Sequence, residues 1–304
     1  MEPAGIVVTG VRRSFGSTHA VRDMTFTASP GRVTGLIGPN GSGKTTLLLM
    51  LATLLAPDAG TIRIGGLDPV ADPVGVRSLI GWMPDVLGSW ASLTTRTTLE
   101  LTGRMYALPK PRAAARAEEL IGLVGLGDLA DQPTRVLSRG QKQRLSLARA
   151  LVHDPGVLLL DEPASGLDPE ARVELRDLVR LLAGEGRTVL VSSHVLAELE
   201  EMADDSVFVR RGETVDPERV EAVREAGRLW RVRAERTSDL AAALEDRPGT
   251  TLDRLGHLVP VRDDADAADL LADLVARGVR VVSFAPATGE LERTFLELTK
   301  EVDA

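Results

Sequence analysis

The sequence predicts an α/β protein in which a mostly parallel sheet is interrupted by an inserted helical subdomain and followed by a small α+β unit. Three observations carry this expectation. Short β-branched runs at 6–11, 33–37, 157–160 and 188–191 alternate with helical patterns, as strands covered on both faces do. Between about 86 and 155 strand-like text gives way to text rich in Ala, Arg, Leu and Glu, broken by Pro109 and Pro111. Beyond Gly212 the pattern changes again, to alternating short strands and helices.

The 304 residues, 43% hydrophobic and 26% charged, are enough for one large domain and one small one, and the expected division is 1–220 and 221–304. No apolar run reaches the ~20 residues that cross a bilayer. The start at Met1 lacks the basic stretch and apolar segment of a secretion leader, so the chain is expected to stay in the cytosol. The absence of cysteine excludes disulfides, thiolate zinc sites and thiol nucleophiles, and four scattered histidines argue against a metal cluster. A formal charge of -8 provides no general basic field, so no nucleic-acid partner is expected.

Strand 33–37 runs into Gly38-Pro39-Asn40-Gly41-Ser42-Gly43-Lys44-Thr45-Thr46, which opens a helix expected over 44–55. This is the strand, loop and helix context of a phosphate-binding loop. Glycines let backbone N–H groups point inward, and the helix N-terminus adds positive potential. Lys44 reaches the terminal phosphates and Thr45 offers a hydroxyl to Mg²⁺. The core is thereby expected to be that of a P-loop NTPase.

Strand 157–160 ends in Asp161 and Glu162, at the carboxyl edge where α/β sheets bind ligands. Asp161 is placed to hold Mg²⁺. Glu162, one residue on, is placed to polarise water in line with a γ-phosphate. Alone, an Asp-Glu pair after an apolar strand is more often a turn; its pairing with the phosphate loop favours chemistry. Asp168 and Pro169 then start a helix whose Leu175, Leu178, Val179 and Leu182 recur at helical spacing. At the end of the chain, strand 229–235, helix 238–245, strands 251–255 and 257–261, helix 267–276, strand 279–284 and helix 290–299 follow the order of a ferredoxin-like unit.

With these residues in place, positions 5–215 resemble the ATP-binding-cassette (ABC) ATPases. Leu137-Ser138-Arg139-Gly140-Gln141, followed by Lys142-Gln143-Arg144, is similar to the family signature, which implies that Ser138, Arg139, Gly140 and Gln141 cap ATP held by a second subunit. The chemistry fits, because a hydroxyl and a glycine amide at a helix start form an anion site. The resemblance implies further roles: Phe15 stacks on adenine, Asp168 in Ser165-Gly166-Leu167-Asp168 belongs to the loop between subunits, and His194 touches the γ-phosphate. Glu162, His194 and Lys44 are the implied catalytic residues, with Thr45, Asp161 and Asp85 at the metal.

Two positions depart from the family pattern. Asp85 stands where glutamine is usual; an ionised aspartate ligates Mg²⁺ but donates no hydrogen bond and repels phosphate. Arg139 replaces a glycine of the signature, a departure of less expected consequence because Gly140 remains.

The resemblance implies ATP and Mg²⁺ as cofactors, a homodimer or heterodimer of cassettes, and separate transmembrane permease subunits. It places the chain at the cytoplasmic face of the membrane, held through the permease. The lone cassette, Pro84-Asp85 and the tail from Gly289 to Leu298 are similar to bacterial drug and antibiotic exporters, so the expected function is ATP hydrolysis that powers efflux. An importer subunit and a soluble non-transport cassette ATPase are the alternatives. Loss of hydrolysis, suggested by Asp85, is a further one. The tail reads as a packing, dimerisation or regulatory module.

Overall fold

The computed structural model describes residues 5–86, 88, 90–225 and 228–300; the start at Met1 that carried the leader expectation lies outside them. The chain opens with β1 (Ile6–Phe15) and β2 (Thr18–Ala28), an antiparallel pair in which buried and exposed side chains alternate over much of each strand. β3 (Val33–Ile37) is buried at every position and leads to α1 (Lys44–Leu51), β4 (Ala59–Ile64), α2 (Pro73–Leu79) and β5 (Ile80–Met83). The helical insertion comprises α3 (Thr95–Met105), α4 (Lys110–Leu123) and α5 (Arg139–Leu151). Then come β6 (Val157–Asp161), α6 (Pro169–Gly184), β7 (Thr188–Ser193), α7 (Leu196–Met202), β8 (Asp205–Arg210) and β9 (Glu213–Thr214).

The sheet order is β4-β1-β2-β9-β8-β3-β7-β6-β5. From β8 to β5 neighbours run parallel, which explains why β3, β6 and β7 read as unbroken apolar runs: α1, α6 and α7 pack against these strands. The register pairs Ile37 with Ser193, Asp161 with Ser192 and Met83 with Leu160, so the loops after β3, β5, β6 and β7 leave the same edge. That edge carries the chemistry.

Two local expectations are corrected. The helix expected over 44–55 ends at Leu51, where Thr53 turns left-handed with φ 63°. Its N–H bonds the Met50 carbonyl at 3.2 Å and the Leu54 N–H bonds that of Leu49 at 2.9 Å, a Schellman ending. A β-branched residue rarely takes that position, so no residue type announced the stop. Pro109 and Pro111, read as breakers, instead start a helix, Pro109 as the N-cap of α4 and Pro111 in its first turn.

The chain divides into compact units at 1–215 and 216–304 rather than after 220, because α8 (Pro217–Glu225) packs on the last helix. The second unit continues with β10 (Arg228–Ala234), α9 (Thr237–Ala243), β11 (Thr251–Leu252), β12 (His257–Val261), α10 (Asp264–Ala276), β13 (Val281–Pro286) and α11 (Glu290–Lys300). Its antiparallel sheet has the order β11-β12-β10-β13, the arrangement of a ferredoxin-like βαββαβ unit. Val232, Leu240, Val259, Leu270 and Leu274 form its core. The strand expected over 251–255 stops at Leu252 because Asp253 accepts hydrogen bonds from the N–H groups of Leu255 and Gly256, folding the chain into a turn.

Candidate active site

The loop after β3 is shaped by two positions that admit no side chain. A Cβ on Gly38 would lie 2.3 Å from the Val209 carbonyl, and one on Gly43, at φ 102°, 2.5 Å from that of Ala20. Lys44, the first residue of α1, is 6% exposed, and its Nζ donates to the carbonyls of Gly38 at 2.6 Å and Pro39 at 3.2 Å. An ammonium has three donors, so one remains for an incoming anion. Burial pushes the Lys44 pKa down, while the charges of Glu162 and Asp161 oppose that shift. Ser42 Oγ is buried in the same loop without a hydrogen-bond partner, as expected of a group completed by a ligand. Pro39, Asn40, Gly41 and Thr45 are exposed and Thr46 half-buried, so the loop stays open to an anion.

Asp161, at the end of β6, is 3% exposed and accepts a hydrogen bond from Ser192 Oγ. Burial is the main cause of its raised pKa; the Ser192 bond opposes the shift, Asp85 adds to it, and Thr45 and Lys44 pull it back. Asp85 itself is exposed after β5, at the same edge.

Glu162 has φ 50°, a left-handed backbone that costs a non-glycine residue about 1–2 kcal/mol. Hydrogen bonds to its backbone hold it there. Its N–H bonds the Ser192 carbonyl at 3.0 Å, and Gln143 Nε2 donates to its carbonyl at 3.0 Å. Its carboxylate lies 2.8 Å from His194 Nδ1 and 3.4 Å from the His194 backbone N–H. The Nδ1 contact occupies one ring nitrogen of His194 and leaves Nε2 for another partner. Gln143, 3% exposed, joins the site although the signature resemblance gave it no role of its own. A signal exists, since it sits four residues before Leu147 on the buried face of α5, a polar residue at an apolar position.

Ser138 caps α5. Gln141 N–H donates to Ser138 Oγ at 3.2 Å, and Ser138 N–H donates to the Gln141 side chain at 2.8 Å, a capping box. Gly140 packs against Leu167, to which a Cβ would approach within 3.2 Å. The Arg139 guanidinium turns to its own subunit and donates to Ser165 Oγ at 2.9 Å. Asp168 caps α6 by accepting the Ala171 N–H at 2.9 Å. Phe15 ends β1 half-exposed, with the Arg13 guanidinium 4.9 Å from its ring centroid.

Residues 21–165 match the family model described as ABC transporter. The daunorubicin resistance ATP-binding protein DrrA3 of Streptomyces coeruleorubidus is 36% identical, across 98% of this chain and 97% of that protein. The chain belongs to the ABC transporter ATP-binding proteins. The Nod factor export ATP-binding protein I of Paraburkholderia xenovorans is 38% identical over 71% of each chain. A solved ATP-binding subunit of an ABC transporter superposes with a TM-score of 0.65 at 25% identity, covering 71% of this chain and 92% of that one.

This cassette is an ATP hydrolase, and its residues fit a magnesium ion beside the nucleotide. Among the described residues, no group of three or more His, Cys, Asp or Glu holds an ion alone. Magnesium needs none, because it takes one or two protein oxygens and completes its shell with phosphate and water. Asp161, at the carboxyl end of β6, and Thr45, in the first turn of α1, are such a pair of oxygens, near enough for Thr45 to lower the Asp161 pKa.

Proposed function

We propose that this chain is the nucleotide-binding subunit of an exporter, that two copies close on ATP, and that hydrolysis at Glu162 reopens them and drives separate permease subunits. The observation that carries this reading is the Glu162 turn. A carboxylate on a strained backbone, bonded to His194, follows Asp161 and faces the loop of the buried Lys44. Lys44 and the N–H groups of 38–46 bind the phosphates, while Phe15 stacks on the base with the ring face that Arg13 leaves free. Asp161 and Thr45, with Asp85 nearby, would hold the magnesium ion, which neutralises charge on the β- and γ-phosphates. Glu162 accepts the proton of the attacking water, and His194 donates to the γ-phosphate. Ser138 and Gly140 meet the nucleotide of the partner, and Asp168 orders the loop between subunits.

A cleft of about 340 Å³, lined by Trp82, Val86, Trp90, Met105, Tyr106 and Arg149, supports a membrane partner. Val86 and Met105 are 81% and 73% exposed there, apolar surface suited to a permease loop. Among the described residues no helix is long and apolar enough to cross a membrane, so attachment to the cytoplasmic face would run through that partner. Relatives named for daunorubicin resistance and Nod factor export support the outward direction.

Because each site needs residues of two subunits, ATPase activity per subunit is expected to rise with protein concentration, or with permease added. Activity that is full and independent of concentration would overturn the dimer. At Asp85, substitution to alanine is expected to weaken the Mg²⁺ dependence and turnover together. A magnesium titration of the ATPase rate that matches wild type would remove Asp85 from the metal site.

A further inference from the structure

We infer that Arg139 is a positioning residue that latches the signature onto the loop 165–168 of its own subunit and, through it, onto Glu162. The inference rests on the proposed function for what the signature meets, and on geometry for the latch. Ser138 caps α5, so Arg139 is the first helical residue and its side chain leaves the helix sideways. Its Nη2 donates to Ser165 Oγ at 2.9 Å. The guanidinium also lies on the backbone of Gly166, where φ is 75°, and a Cβ there would come within 2.6 Å of Arg139 Nε and 2.7 Å of Cδ. Gly166 is thus required twice, for its left-handed backbone and for the room it leaves the arginine.

The loop is held at every residue. Gly140 closes on Leu167, whose carbonyl accepts from Arg172 Nε at 3.1 Å, and Asp168 caps α6. The Ser165 N–H donates to the Glu162 carbonyl at 3.1 Å, the same carbonyl that Gln143 bonds. A bonded path therefore runs from Arg139 through Ser165 to the backbone of the catalytic carboxylate. A signature that closes on a partner's nucleotide bears on the base of its own site along this path. With glycine at 139 the path starts only at Ser165, while the Gly140 to Leu167 contact and the Gln143 bond to the Glu162 carbonyl remain. An exposed side chain of this kind contributes little to folding, so its effect belongs in turnover.

The test uses the full chain with Arg139→Gly, Arg139→Lys, Ser165→Ala and the double variant Arg139→Gly with Ser165→Ala. In the nucleotide-free protein, hydrogen exchange at the amides of 165–167 is expected to speed up in Arg139→Gly, and less in Arg139→Lys, which keeps a donor but does not cover Gly166. In the ATPase assay, kcat falls about threefold to tenfold in Arg139→Gly, the scale of one ordinary hydrogen bond, while KM for ATP holds. The double variant is no slower than Arg139→Gly, because both changes cut one path. Unchanged exchange in Arg139→Gly, or losses that multiply in the double variant, overturns the latch. Faster exchange in a protein whose wild type neither hydrolyses nor dimerises supports the latch and instead overturns the proposed function.

Discussion

Glu162→Gln is expected to lower ATP turnover by about a hundredfold to ten-thousandfold, the range of a lost general base, while leaving nucleotide binding intact. Glutamine keeps the length of the side chain and an oxygen for His194, so the 2.8 Å contact to Nδ1 and the left-handed turn survive. What is lost is the capacity to take a proton from water. The variant should therefore accumulate as an ATP-bound dimer, visible as a doubled mass by light scattering with ATP and magnesium present. Residual turnover near the wild-type rate would move the base elsewhere. A monomer that binds ATP and never dimerises would remove the signature from the mechanism.

Lys44→Ala is expected to weaken ATP binding by at least about thirtyfold, since removing one member of a buried charged pair typically costs about 2–5 kcal/mol. The ammonium is 6% exposed and also ties together the carbonyls of Gly38 and Pro39, so the loop itself slackens without it. Titration with a fluorescent ATP analogue measures the loss, and affinity within threefold or so of wild type would exclude Lys44 from the phosphate site. A pH signature accompanies it. Burial holds the folded pKa of Lys44 below its ordinary value, so between the two the unfolded chain binds more protons and the stability of the nucleotide-free protein rises with pH. That increment should vanish in Lys44→Ala when denaturant midpoints are compared across the alkaline range.

Local chemistry makes the nucleotide site legible in the sequence. The run from Gly38 to Thr46 needs glycines where only glycine fits, and Gly38 and Gly43 meet backbone carbonyls within 2.5 Å of where a Cβ would stand. Strands buried on both faces announce themselves as apolar runs, so β3, β6 and β7 are readable, as is the cap formed by Asp168 and Pro169. Pattern and structure part where a residue takes a conformation that its type disfavours. Thr53 ends α1 in a left-handed turn, and Asp253 cuts β11 short with its own side chain.

By itself, then, the sequence determined the kind of sheet, the phosphate loop, the two carboxylates and the order of the motifs, because each is set by neighbours within a few residues. The tertiary structure alone decided which distant groups share those residues. Parallel register brings Ser192 to Asp161 and sets His194 beside Glu162 across 32 positions. The packing of α5 aims Gln143 at the Glu162 carbonyl, and the turn at Gly166 receives Arg139. Such contacts depend on strand register and helix packing summed over the whole core, and no short stretch of sequence contains that sum.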